Sequence, residues 1–233
     1  MTIAERLRRV EERIAKAAER AGRSPSEITL VAVSKTVEPR RIVEAVEAGV
    51  TVLGENRVQE AREKIKELGK IAQWHMIGHL QKNKAKYVVE LFDMLHSLDS
   101  FPLLDTLCKR LERLGKEGFP VLIEVKLSPE ETKHGCLPGD LFQLAREAVS
   151  RPQLYLCGLM TIAPYAEDPE EARPFFRQLR ELRDQLQERL GVALPHLSMG
   201  MSGDFEVAIE EGATMVRVGT AIFGERVYGC RLE

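Results

Sequence analysis

No pair of cysteines in this chain has the C-x-x-C spacing: Cys108, Cys136, Cys157 and Cys230 are scattered, so neither a zinc ribbon nor a redox dithiol is pre-organised. Four isolated thiols fit a reducing compartment. No run of about 18 apolar residues occurs, which argues against a transmembrane helix and a membrane partner. The amino terminus carries Glu5, Arg6, Arg8 and Arg9 without an apolar stretch behind them, unlike a secretory leader, and a cytoplasmic protein is expected. An excess of one charge is also missing, with 34 Lys plus Arg against 36 Asp plus Glu and a formal charge of −2. Without a basic block, no nucleic-acid partner is expected. Nor does a Pro/Gly/Ser-rich linker divide the chain, so residues 1–233 are expected to form one domain.

Hydrophobic residues at 44% and charged residues at 30% are those of a globular chain with a sizeable core. From Thr2 to Ala21, Ile3, Leu7, Val10, Ile14 and Ala17/Ala18 form the stripe of an amphipathic helix that Gly22 stops, so residues 1–22 are expected to pack on the rest as an extra element. Short β-branched runs then alternate with helical patterns. The runs are Ile28–Val33, Val50–Leu53, Gln73–Ile77, Asp93–Ser97, Val121–Lys126, Tyr155–Thr161, His196–Ser198 and Thr214–Val218. Helical patterns fall between them, among them Leu80–Leu91 and Pro169–Leu190. The runs recur about every 26 residues, the length of a βα unit. Alternating strands and helices require a parallel sheet, and eight units can close it. The expectation is an α/β fold, a (β/α)8 TIM barrel with an extra N-terminal helix, and an open doubly wound sheet is the runner-up.

Barrel chemistry sits at the carboxyl ends of strands. Alternation in Val31-Ala32-Val33-Ser34-Lys35 puts Lys35 on the face of Val31 and Val33, toward the interior, where a desolvated amine becomes a carbonyl nucleophile. Gly54-Glu55-Asn56-Arg57 falls where a site loop belongs, with an N-cap as the plain role for Asn56. His75 and His79 are spaced i, i+4, but a strand-to-turn context does not give a metal pair its helical face. Met199-Gly200-Met201-Ser202-Gly203-Asp204 reads as an anion-binding loop opening a helix, with Ser202 as N-cap. Gly219 and Thr220 form a second small-residue turn, and the loops after strands seven and eight are the recurrent phosphate site of the barrel. Arg217 shares the face of Met215 and so points inward, toward either an interior carboxylate or a ligand acceptor. An amine, a phosphate cradle and a buried donor match the polar ends of pyridoxal 5′-phosphate (PLP).

Several motifs together carry a resemblance: Val31-Ala32-Val33-Ser34-Lys35-Thr36, Gly54-Glu55-Asn56-Arg57-Val58-Gln59-Glu60, Trp74 through Lys84, Gly158-Leu159-Met160-Thr161 and the stretch Ser198 to Gly224. They span nearly the whole chain, which resembles the pyridoxal phosphate homeostasis protein family. The resemblance implies a barrel similar to the amino-terminal domain of alanine racemases, with PLP held as a Schiff base on Lys35. It also implies that Arg217 partners the pyridine nitrogen, that Ser202, Gly219 and Thr220 bind phosphate, and that Asn56, His79 and Met199 line the pocket. The implied role is storage, delivery or buffering of PLP, affecting amino-acid and keto-acid balance, with PLP-dependent apoenzymes as acceptors and no established reaction. A monomer is expected and a dimer left open.

The alternative is a PLP-dependent amino-acid racemase or transaminase of low activity. Two features count against it: an Arg facing the ring nitrogen weakens the electron sink, and the chain stops at Glu233, before a second domain could bring an opposing base. A PLP-independent Schiff-base aldolase and a pure scaffold are the remaining rivals.

Overall fold

In a computed structural model that describes residues 1–130 and 133–225, eight parallel strands close into a barrel in sequence order, the last pairing with the first. They are β1 (Thr29–Val33), β2 (Val52–Glu55), β3 (Gln73–Met76), β4 (Met94–Leu98), β5 (Phe119–Glu124), β6 (Leu154–Met160), β7 (His196–Ser198) and β8 (Met215–Val218). The expected (β/α)8 architecture is therefore the observed one, and every strand expectation falls on a strand. The helices are α1 (Ile3–Arg20), α2 (Pro39–Glu47), α3 (Val58–Leu68), α4 (Ala85–Leu91), α5 (Phe101–Arg113), α6 (Pro138–Ser150), α7 (Arg173–Leu190), α8 (Phe205–Glu210) and α9 (Thr220–Phe223). Among the described residues no helix is long and apolar enough to cross a membrane. Cys108, Cys136 and Cys157 are buried free thiols, while Cys230 lies outside the described residues.

Two helical expectations shorten. Leu80–Leu91 is helical only from Ala85, after a 3-10 turn at Lys82–Lys84, and Pro169–Leu190 begins with a 3-10 turn at Pro169–Ala172. In the first case the chain is held at the barrel rim: Ser97 Oγ donates to the Gly78 carbonyl at 2.7 Å. A Cβ on Gly78 would stand 2.4 Å from the Asn56 carbonyl oxygen, so only glycine lets these two rim loops meet.

Alternation along the strands divides the core in two. Outward residues such as Ala32, Leu53, Trp74, Leu95, Ile123 and Val216 meet the helices in one large cluster. Inward residues Val31, Val33, Val52, Ile77, Met94, Leu122, Cys157, Met160 and Met215 fill the barrel. Between β5 and β6 the register shifts after Val121, and Leu122 pairs with Gly158. Gly158 has φ +153°, and a Cβ there would lie 1.8 Å from the His196 carbonyl oxygen, so β6 can approach β7 only through a glycine.

The extra helix α1 starts at a capping box: Thr2 Oγ1 accepts from the Glu5 N–H at 3.2 Å, and Glu5 Oε2 accepts from the Thr2 N–H at 2.8 Å. Its buried stripe is Ile3, Leu7, Val10, Ile14, Ala17 and Ala18. Burying the larger four is worth about 6–12 kcal/mol of gross transfer free energy, an upper bound that ordering the helix offsets in part. The stripe packs on α2, α8 and α9. Arg23, just beyond α1, donates to the carbonyls of Ile209 (3.0 Å) and Ala213 (2.8 Å), and Arg13 grips Glu206 in α8 at 3.1 and 2.7 Å. Thus α1 braces the helices that follow β7 and β8.

The barrel interior also carries polar groups: His75, His96, Glu124, Ser198 and Arg217, all buried. Burial, reinforced by Asp99 and opposed by Arg217, raises the Glu124 carboxyl from 4.5 to about 7. Burial first, with His196 adding to it and Asp93 opposing, lowers His75 from 6.5 to about 4. The two act in opposite directions. Glu124 contributes stability that is complete below about pH 4.5 and is lost as pH rises through about 7, whereas the His75 contribution is complete above about 6.5 and is lost as pH falls through about 4. Replacing Glu124 with Gln isolates the first effect. Relative to wild type, Glu124→Gln should gain about 2–3 kcal/mol between pH 5 and pH 8 in urea unfolding. Parallel stability curves would show that Glu124 ionises in the fold as it does in water.

Candidate functional site

A cavity of about 470 Å³ opens at the carboxyl ends of the strands, within the roughly 300–1,000 Å³ usual for small-molecule sites. Six residues singled out from the sequence line it together: Lys35, Asn56, Ser202, Arg217, Gly219 and Thr220. Parallel closure makes this possible, because every strand ends at the same rim and side chains distant in sequence converge there.

Lys35 follows β1 in a half-buried turn. Its neighbours are fastened from behind by Lys64, only 6% exposed, whose Nζ donates to the Ser34 carbonyl (2.6 Å), Glu55 Oε1 (2.7 Å) and Glu60 Oε1 (2.6 Å). Ser34 Oγ also donates to Glu55 Oε1 at 2.7 Å, and the Thr36 N–H donates to Glu60 Oε1. Thr36 has φ 61°, a conformation that a β-branched residue avoids unless its surroundings impose it. Charge-assisted bonds on both sides of Lys35 thus fix the backbone that aims it into the cavity.

Arg217 rises from β8 on the inward face and is 4% exposed. No carboxylate forms an ion pair with it among the described residues. Instead Nη1 donates to Ser198 Oγ (2.7 Å) and Nη2 to the Thr161 carbonyl (2.9 Å), while Glu124 and Asp204 act on it through their fields. Burial lowers its pKa to about 10, with both acids opposing, so the guanidinium keeps its proton at neutral pH.

The loop after β7 and the turn after β8 are joined by Ser202, whose Oγ accepts from the Gly219 N–H at 3.3 Å and the Ala221 N–H at 3.5 Å. This differs from the expected N-cap role. Asp204 is the N-cap residue of α8, and its Oδ1 accepts from the Met201 N–H at 2.6 Å, closing the turn before Ser202 can reach the helix. Asn56 is not an N-cap either; Arg57 holds that place, and Asn56 Oδ1 is buried without a hydrogen-bond partner.

Two expected lining residues stand apart. Met199 is buried in the outer core cluster, and His79 stacks on His134 at 3.7 Å between ring centroids with its Nδ1 3.2 Å from Asp99 Oδ2. Neither lines the cavity. His75 instead turns into the barrel, with Nδ1 3.0 Å from His96 Nε2. Sequence reasoning missed the segment after β6, where Ile162, Pro164, Tyr165, Asp168 and Pro169 form a cavity wall and Tyr165 is 89% exposed. Pro164 and the Asp168-Pro169 turn start were the available signals of a loop there.

Residues 6–227 match the family model described as alanine racemase, N-terminal domain. A pyridoxal phosphate homeostasis protein of Aquifex aeolicus is 52% identical over 229 residues, covering 98% of this chain and 100% of that protein. Among solved structures, a Bifidobacterium adolescentis protein superposes with TM-score 0.88 at 38% identity, covering 95% of this chain and 94% of that one. PipY of Synechococcus elongatus, solved with PLP bound, does so with TM-score 0.83 at 39% identity, covering 96% of this chain and all of PipY, 100%. Identity at this level across the full barrel makes the chain a member of the pyridoxal phosphate homeostasis protein family, built on the alanine racemase N-terminal fold.

Proposed function

We propose that this chain holds PLP in the cavity at the barrel mouth, attached reversibly through Lys35, and that it stores, buffers and hands on the cofactor in the cytoplasm. One observation carries the reading: an amine, a buried guanidinium and a small-residue cradle line the same cavity of about 470 Å³. Asn56 adds to the fit, since it lines the cavity and its Oδ1 is a buried acceptor without a hydrogen-bond partner among the described residues. The solved PLP complex of PipY, similar along its whole length, supports the same cofactor here.

PLP, when bound, supplies an aldehyde that reacts reversibly with amines and a ring that accepts electrons best when its nitrogen is protonated. The roles of the chain's own residues follow. Lys35 provides the amine, on a backbone fixed by Lys64, Glu55 and Glu60. At the cradle, the Thr220 N–H opens the turn at Thr220–Phe223 and suits a phosphate, while the Gly219 and Ala221 N–H groups donate to Ser202 Oγ, which ties the two loops into one wall. Arg217 stays charged and can only donate, so a ring nitrogen set against it stays unprotonated. That arrangement favours holding the cofactor over driving carbanion chemistry with it.

Transfer is the direct test. Protein loaded with PLP and freed of excess cofactor should reconstitute the apo form of a PLP-dependent enzyme in proportion to the PLP it carries. A loaded protein that leaves the apoenzyme inactive, or that racemises or transaminates amino acids well above free PLP, contradicts the reading. A second expectation concerns the cradle. Pyridoxal without phosphate should bind roughly 10²-fold more weakly than PLP, as two charge-assisted hydrogen bonds are lost. Changing Ser202 and Thr220 to Ala should narrow that gap in parallel titrations. Equal affinity for the two aldehydes in wild type would place the phosphate elsewhere.

A further inference from the structure

Beneath Arg217 a line of buried polar side chains crosses the barrel from β8 to β3. Ser198 Oγ on β7 lies 2.7 Å from Arg217 Nη1 and 2.9 Å from His96 Nδ1 on β4, and His96 Nε2 lies 3.0 Å from His75 Nδ1 on β3. All four side chains are buried, and none of the contacts is needed to form a strand.

The chemistry of these groups gives the line one direction. A guanidinium has donors and no acceptor, so Ser198 Oγ accepts from Arg217. Its single hydroxyl proton then has one remaining partner among the described residues, His96 Nδ1, which must accept it. A buried hydroxyl proton left without an acceptor is costly, so the reverse arrangement is disfavoured. With Nδ1 accepting, neutral His96 carries its proton on Nε2 and donates to His75 Nδ1, which leaves His75 protonated on Nε2 as well. Burial lowers the pKa of both rings, His96 well below 6.5 and His75 to about 4, so neither is charged near neutral pH.

We propose that Ser198, His96 and His75 form a one-directional hydrogen-bond chain that locks the rotation of the Arg217 guanidinium, making them positioning residues for its contact with the cofactor ring nitrogen. The chain stands on the geometry alone, while its role toward the ring nitrogen rests on the function proposed above. Nη2 is fastened independently to the Thr161 carbonyl. The guanidinium plane is therefore held at two points, and at one of them His96, by accepting the hydroxyl proton, fixes the orientation of Ser198.

Two measurements test this. In protein labelled with 15N-histidine, with and without added PLP, long-range proton–nitrogen correlations should show His96 and His75 both protonated at Nε2 and bare at Nδ1. A proton on His96 Nδ1 overturns the chain. In PLP-loaded protein, His96→Phe should shift the absorbance maximum of the bound cofactor and weaken PLP binding about tenfold, as one anchoring hydrogen bond is lost. His96→Asn, whose side-chain oxygen can take the place of Nδ1, should restore the wild-type spectrum and affinity, which a purely space-filling role would not require. A His96→Phe variant that matches wild type in both overturns the positioning role. Wild type that takes up no PLP overturns the cofactor reading and the ring-nitrogen role with it, while the histidine tautomers still decide whether the chain exists.

Discussion

A guanidinium inside a parallel barrel is costly to bury unless each of its bonds is arranged in advance. Arg217 meets that requirement without a carboxylate in contact among the described residues, through a hydroxyl on β7 and a backbone carbonyl just beyond β6. Acceptors without formal charge leave the arginine positive, and two acids at longer range steady it. Much of the interior follows from this choice. Ser198 needs an acceptor of its own, His96 supplies it, and His75 completes the line, so the barrel floor is polar in its middle and apolar around it.

The rim above is held by contacts from outside the barrel wall. Lys64, reaching from α3, fixes the turn that bears Lys35 through two glutamates and a carbonyl. On the neighbouring stretch of the rim α1 braces α8 and α9, the helices that open from the cradle loops, using an apolar stripe together with Arg13 and Arg23. Amine and cradle are thus fixed to separate supports around one cavity, which suits a site that grips a ligand at two points.

Much of this was legible in the sequence, for physical reasons. Strand runs and amphipathic helices are local periodicities, and eight of them in alternation leave few topologies. The inward direction of Lys35 and Arg217 followed from period-two alternation next to Val33 and Met215. What escaped was set by long-range packing. Gln81 through Lys84 has helical composition, yet the rim contact at Gly78 delays the helix to Ala85. Ser202 looks like an N-cap, but its partner is the Gly219 N–H, which adjoins it only once the barrel closes. His79 follows β3 at the rim, but Asp99 and His134 draw it away from the cavity. The line from Arg217 to His75 joins four strands, and no window of sequence contains it.

On the proposed function, one lysine among many carries the cofactor. Borohydride reduction of PLP-loaded protein, followed by proteolysis and mass mapping of the phosphopyridoxyl group, tests it most directly. The account predicts a stoichiometric label on Lys35, with the rim lysines Lys82, Lys126 and Lys133 unlabelled at equal PLP. A label spread across surface lysines, or concentrated on any lysine other than Lys35, would contradict it.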